Sequence, residues 1–152
     1  MSLAAFIKSA LILFHGAITI FKLFSILSKE NIQVDTIIQN LNHDEFNDIS
    51  YTVPIEDFEK TFKISTKFAE QFEKSAVLYK KNVSKLSIVG TGISGNAEIA
   101  SKYFETLYKL GINIEMISTS EIKISCIIES KNSKKAINEI HKAFELDKIN
   151  IL

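Results

Sequence analysis

The chain has 152 residues, and its 18 basic and 18 acidic side chains leave a formal net charge of zero. That balance gives no electrostatic case for nucleic acid or an anionic membrane surface as a partner. With 46% apolar and 24% charged residues, the composition argues against disorder and for one ordinary domain or two small ones.

All the cationic residues are lysine, which removes the usual bidentate phosphate reader. The single cysteine, Cys126, cannot form an internal disulfide and fits a reducing cytoplasm. The apolar run Leu3 to Phe24 is interrupted by Lys8, His15 and Lys22 and divided by Gly16. A signal peptide needs an unbroken apolar core and a spanning helix tolerates mid-depth charge poorly, so neither secretion nor insertion is expected.

In chain order, Lys8 to Phe14 reads as a central strand. Ile20, Phe21, Phe24, Leu27 and Ile32 are spaced for one buried helix face. Gln33 to Asn40 alternates as a strand, Leu41 to Asn47 is a polar loop, and Asp48 to Val53 is a strand stopped by Pro54, the only proline. Ile55 to Phe72 carries a phenylalanine-rich helix face, and Ser75 to Tyr79 is a short strand. A second series follows: strand Ser84 to Val89, loop Gly90 to Asn96, helix Ala97 to Leu110, strand Asn113 to Ser118, a polar turn Ser118 to Glu121, strand Glu121 to Ile128 and helix Ser133 to Phe144.

The two series are copies. A slide of eighty positions sets Phe24 on Phe104, Leu27 on Leu107, Lys29 on Lys109, Ile32 on Ile112, Val34 on Ile114 and Asp35 on Glu115. One register holds across helix, turn and strand, as in an internal duplication. The expected fold is α+β, two ferredoxin-like βαββαβ units side by side, each an antiparallel sheet with its helices on one face. The expected units are residues 8–80 and 81–147. The second lacks an evident fourth strand, which either Leu3 to Ile7 or Lys148 to Leu152 supplies, the former favoured.

The segments Val89 to Gly92, Gly111 to Ser125 with its run Ser118-Thr119-Ser120-Glu121-Ile122-Lys123-Ile124-Ser125, and His141 to Leu146 resemble the C-terminal tandem ACT region of aspartokinase. Val34 to Asn40 and Asp48 to Val53 resemble the first ACT repeat of that family, so the resemblance spans roughly Ser9 to Leu146. It implies the regulatory part of a cytoplasmic enzyme that phosphorylates the aspartate β-carboxylate with ATP, at the first step toward lysine, threonine and methionine. The expected region carries no catalytic residues, metal site or cofactor of its own, because ATP and Mg²⁺ belong to a kinase domain outside this sequence. Gly90-Thr91-Gly92 follows a strand and precedes a helix, but Gly95 reads as one residue early for G-x-G-x-x-G, and the parallel βαβ context of a dinucleotide loop is not expected.

Feedback requires a site for a free amino acid. Backbone N–H groups at a helix start suit its carboxylate, and amides, carbonyls or a carboxylate suit its ammonium. The loops His15 to Ile18 and Ile93 to Glu98, with Ile93, Asn96 and Ala97, serve the first need. Asp35, Gln39, Asn40 and Asn113 serve the second, and Glu121 or Asp35 meets a lysine ε-ammonium. By resemblance, Gln39, Asn113 and Ile114 contact effector across paired ACT units, and Asp35, Ser120 and Glu121 go with lysine sensitivity. Each also has a plain structural reading: solvated strand residue, strand end, turn cap or, for Ile114, core. The sequence departs from the family at His15-Gly16-Ala17-Ile18 and Ala97-Glu98, where bulk, and at Glu98 charge, replaces a glycine turn.

The resulting expectation is an amino-acid sensor, with lysine favoured over threonine as effector. It acts as a homodimer through ACT units and on a catalytic domain. The rival is a structural dimerisation module whose pockets no longer bind. An enzyme in its own right finds no acid–base pair or activated nucleophile.

Overall fold

The computed structural model describes residues 3–12, 16–41, 46–73, 75–93 and 95–146. The chain divides into two compact units, one spanning Leu3–Lys81 and the other beginning at Asn82.

The first unit runs β1 (Leu3–Ile12), α1 (Gly16–Lys29), β2 (Ile37–Leu41), β3 (Phe46–Pro54), α2 (Phe58–Ala69) and the first half of β4 (Ala76–Val89). Its strand order is β2-β3-β1-β4, with β3 antiparallel to both β1 and β2. Alternate residues Ile49, Tyr51 and Val53 of β3, with Ala5 and Ile7 of β1, face a core shared with Leu23 and Leu27 of α1 and Phe58, Phe68 and Ala69 of α2. Both helices therefore lie on one face of the sheet. Side chains such as Leu23 and Leu27, at 0% and 1% exposure, each contribute about 2 kcal/mol of apolar burial.

The second unit takes the rest of β4, then α3 (Ala97–Lys109), β5 (Met116–Ser120), β6 (Lys123–Glu129) and α4 (Ser133–Ala143), with strand order β4-β6-β5, antiparallel throughout. Leu86, Ile124, Cys126 and Ile128 meet Tyr103, Leu107, Ala136 and Ile140 in its core. The Tyr103 hydroxyl donates to the Leu86 carbonyl at 2.9 Å. Burial pushes the Cys126 thiol up to about 11, and a hydrogen bond with Tyr103 offsets part of that rise.

The duplication is visible residue by residue. Leu23 and Tyr103, Leu27 and Leu107, and Ile32 and Ile112 are buried in pairs. Both first helices end on a left-handed residue, Asn31 at φ 56° and Gly111 at φ 67°. Ile32 N–H donates to Leu27 O and Ile112 N–H to Leu107 O, each at 3.0 Å, closing the same C-cap motif. Each β3 or β6 leads through a 3-10 turn, Ile55–Asp57 or Ser130–Asn132, into the second helix.

Several bounds differ from the sequence reading. The expected strand Lys8 to Phe14 is Leu3–Ile12, with Leu13 and Phe14 outside the described residues. Leu3 to Ile7 is the leading half of that strand. Ala4 through Ile7 pair with Pro54 through Tyr51 of β3, because Ala5 and Ile7 complete the first core. The alternative source of a fourth strand, Lys148 to Leu152, lies outside the described residues. On α1 the buried line is Thr19, Leu23 and Leu27, so Phe21, expected inside, points out at 70% exposure. The helix read as Ile55 to Phe72 is a 3-10 turn and then Phe58–Ala69. Ser75 to Tyr79 and Ser84 to Val89 belong to one continuous strand, in which Asn82 takes φ 56°. The last hairpin turns at Glu121-Ile122 rather than across Ser118 to Glu121, since Ser118, Thr119 and Ser120 pair with Ser125, Ile124 and Lys123. The loop Leu41 to Asn47 falls partly outside the described residues, and its ends join β2 and β3.

Candidate functional site

Loop 90–96 bends on two left-handed glycines, Gly92 at φ 80° and Gly95 at φ 74°, and delivers Asn96 to the start of α3. Asn96 is the N-cap. Its Oδ1 accepts the N–H groups of Glu98 at 3.1 Å and Ile99 at 3.2 Å, while its own N–H donates to Ile93 O at 3.2 Å. With Oδ1 engaged twice, the amide orientation is fixed and Nδ2 remains as the donor end. The backbone N–H of Ala97, first in the helix, stands beside it and shares the positive end of the helix dipole.

Opposite this cap, β5 ends at Thr119 and Ser120. Together Ile93, Gly95, Asn96, Ala97, Ala100, Thr119, Ser120 and Ile124 line a cleft of about 350 Å³. The cleft is lined by apolar Ile93, Ala100 and Ile124 and by polar Asn96, Thr119 and Ser120 beside the start of α3. A helix start beside an amide donor has the groups needed to hydrogen-bond a carboxylate.

Four of the ten expected residues, Ile93, Asn96, Ala97 and Ser120, are thus brought together. Glu121, next in sequence, is exposed in the hairpin turn and does not line the cleft. Asn113 is exposed and its Nδ2 donates to Glu115 Oε1 at 3.0 Å, while Ile114 packs half-buried against the second core. Asp35, Gln39 and Asn40 belong to the first unit. Asp35 N–H donates to Thr52 O at 3.1 Å, its side chain exposed and partnered. Gln39 stands exposed opposite Ile49 on β2, and Asn40 stands opposite Asp48. Of the loop His15 to Ile18, Gly16, Ala17 and Ile18 form the first turn of α1, and His15 lies outside the described residues.

Sequence reasoning missed Gly95, Ala100, Thr119 and Ile124. Ala100 was legible, three residues after Ala97 on one helix face, and Thr119 was hidden by reading the end of β5 as turn. The glycines at 90, 92 and 95 do have G-x-G-x-x-G spacing. However, the strand after α3 is separated from β4 by β6, so the parallel crossover of a dinucleotide site is missing. Among the described residues no group of His, Cys, Asp and Glu is placed to hold a metal ion, and no helix is long and apolar enough to cross a membrane.

Two βαββα arrangements, each with its helices on one sheet face, and in the second a ligand-sized cleft at a helix start, define the ACT class of small-molecule-sensing modules. The ACT-domain profile matches residues 86–144. An aspartokinase structure with alpha and beta subunits superposes at TM-score 0.80 with 34% identity, covering 93% of both chains. The ligand-free regulatory subunit of aspartate kinase from Thermus thermophilus superposes at 0.83 with 28% identity over 95% of this chain and 94% of that one. Aspartokinase from Pseudomonas aeruginosa is 42% identical over 127 residues, 84% of this chain and 31% of that protein. The chain therefore belongs to the aspartokinase family and corresponds to its ACT regulatory region. It spans about a third of the length of the curated relatives it matches.

Proposed function

We propose that the chain is the feedback sensor of an aspartate-phosphorylating kinase, and that a free α-amino acid occupies the α3–β5 cleft. The observation that carries this reading is the convergence of the Asn96 N-cap and Ala97 at the start of α3 with Thr119 and Ser120 at the end of β5 on one cleft. The effector carboxylate meets Asn96 Nδ2 and Ala97 N–H, and its side chain runs toward Ser120. A second copy of the chain contributes Asp35, Gln39 and Asn40 to the ammonium. Lysine is the favoured effector and threonine the next, with Glu121 or the second copy's Asp35 facing the lysine ε-ammonium. Aspartokinase III of Escherichia coli, a fold neighbour at 15% identity, is known in complex with lysine and aspartate in a T-state. Binding acts on a linked catalytic domain by favouring one packing of the sensor pair over another.

One observation favours the rival reading of a dimerisation module that no longer senses. Glu98 stands exposed in the first turn of α3, where its carboxylate opposes an incoming carboxylate. Titration calorimetry with lysine, threonine and methionine separates the two. Heat with lysine or threonine, reduced by Ser120→Ala, supports sensing. A dimer that gives no heat with any of the three leaves only the module.

A further inference from the structure

Beside the effector cleft, the second unit carries a separate apolar groove of about 410 Å³. Its walls are Leu86 and Ile88 of β4, Ile93 of the loop that follows, Ile99 of α3, and Ile137 and Ile140 of α4. The groove is open to water. Val89 on its rim is 68% exposed, and Ile88, Ile99, Ile137 and Phe144 are only partly buried. Aliphatic walls left uncovered over this extent call for an occupant. Ile93 is shared, because it also lines the α3–β5 cleft.

The chain itself supplies that occupant. After α4, Glu145 takes φ 54° with its N–H donating to Lys142 O at 3.0 Å, and the next residue, Leu146, lines the groove. The sequence then runs Asp147-Lys148-Ile149-Asn150-Ile151-Leu152, in which polar and apolar residues alternate from Lys148 to Ile151. The first unit shows what such a stretch does. There β4 begins at Ala76, seven positions past the end of α2 at Ala69, and its Val77 packs on the first core. Seven positions past the end of α4 at Ala143 falls Asn150, which makes Ile151 the counterpart of Val77. A segment that starts two residues past Leu146 is tethered at the groove, so it competes at high effective concentration against any separate partner. We propose that Lys148–Leu152 seats in this groove with Ile149 and Ile151 inward, and through Ile93 steadies the loop that carries Asn96. Only the link from that loop to sensing rests on the α3–β5 cleft being the amino-acid site.

Nuclear Overhauser contacts in the whole chain, labelled at its isoleucine methyls, test the seating with no effector required. Contacts from Ile149 and Ile151 to Ile88, Ile137 or Ile140 are expected. Methyls at random-coil shifts without those contacts overturn the proposal and leave the groove to a small apolar ligand or another protein. Ile151→Asp is expected to keep the circular dichroism spectrum while the emptied groove binds roughly fivefold more anilinonaphthalene sulfonate dye, and Ile151→Val to stay at the wild-type level. Equal dye binding by wild type and Ile151→Asp overturns the seating as well. Amide exchange at Ile93 and Asn96 is expected to quicken about tenfold in Ile151→Asp. Unchanged exchange there overturns the hold on the loop. A seated segment in a chain that gives no heat with any amino acid counts against the sensing reading alone.

Discussion

Asn96 separates structural from ligand-binding roles at a single position. Aspartate caps a helix as well as asparagine does, but it offers no donor and adds charge. Asn96→Asp is therefore expected to change unfolding free energy by less than ~0.5 kcal/mol while weakening a carboxylate ligand at least about tenfold, and Asn96→Ala costs about 1 kcal/mol of stability. Urea denaturation and calorimetry read the two effects independently. In the first core the Tyr51 hydroxyl bonds Ser65 Oγ, which donates to Thr61 O at 2.8 Å. Ser65→Ala leaves a buried phenol unpaired and is expected to cost ~1–3 kcal/mol, more than Tyr51→Phe, which removes the phenol oxygen with its need. The second core has Cys126 and Ile140 near the corresponding places, both buried. Because the Cys126 folded value is raised from 9.0 to about 11 by burial, the neutral thiol is the stabilised form. Its contribution is complete below pH 9 and is lost as pH rises toward 11. Thermal melts between those values should fall more gently for Cys126→Ala than for the wild type. An identical slope would show that the thiol does not matter.

At the level of elements, the helix ends are where sequence and structure agree most closely. Gly111 at φ 67° occupies a conformation that costs a side chain energy, so Gly111→Ala is expected to lose about 1–2 kcal/mol. Asn31, its counterpart at φ 56°, already tolerates the region, and Asn31→Gly should change stability by under ~0.5 kcal/mol. Equal losses from Asn31→Ala and Gly111→Ala are not expected, because only the second starts from a residue without a Cβ. The duplication was legible because it rests on buried positions, Leu27 with Leu107 and Ile32 with Ile112, that a repeated fold constrains alike. The bounds of β4 were not legible. Two short periodic runs read as separate strands, and nothing in Lys80-Lys81-Asn82 announces that the backbone continues through a left-handed residue. Phe21 was misplaced because apolarity stood in for direction: two residues from both Thr19 and Leu23, it lies about 200° around the helix from the buried line.

For the whole molecule, the sequence named the fold and the family but only part of the cleft. Ile93, Asn96 and Ala97 were found because a carboxylate site calls for a helix start, and Ser120 through resemblance. Asp35, Gln39, Asn113 and Glu121 were chosen as partners for the ligand's ammonium groups and through resemblance, and none lines the cleft of the single chain. If a second copy closes the site, ligand binding and dimerisation are linked. An effector at a hundred times its Kd then stabilises the native state by about 2.7 kcal/mol, visible as a concentration-dependent rise in Tm. The central claim is that a free amino acid sits between the start of α3 and the end of β5. It is tested most directly by amide chemical shifts of the isotope-labelled chain at saturating lysine or threonine. The account predicts the largest changes at Ile93, Ala97, Thr119 and Ser120, abolished by Asn96→Asp. Saturable changes confined to other residues, or none with either amino acid, would contradict it.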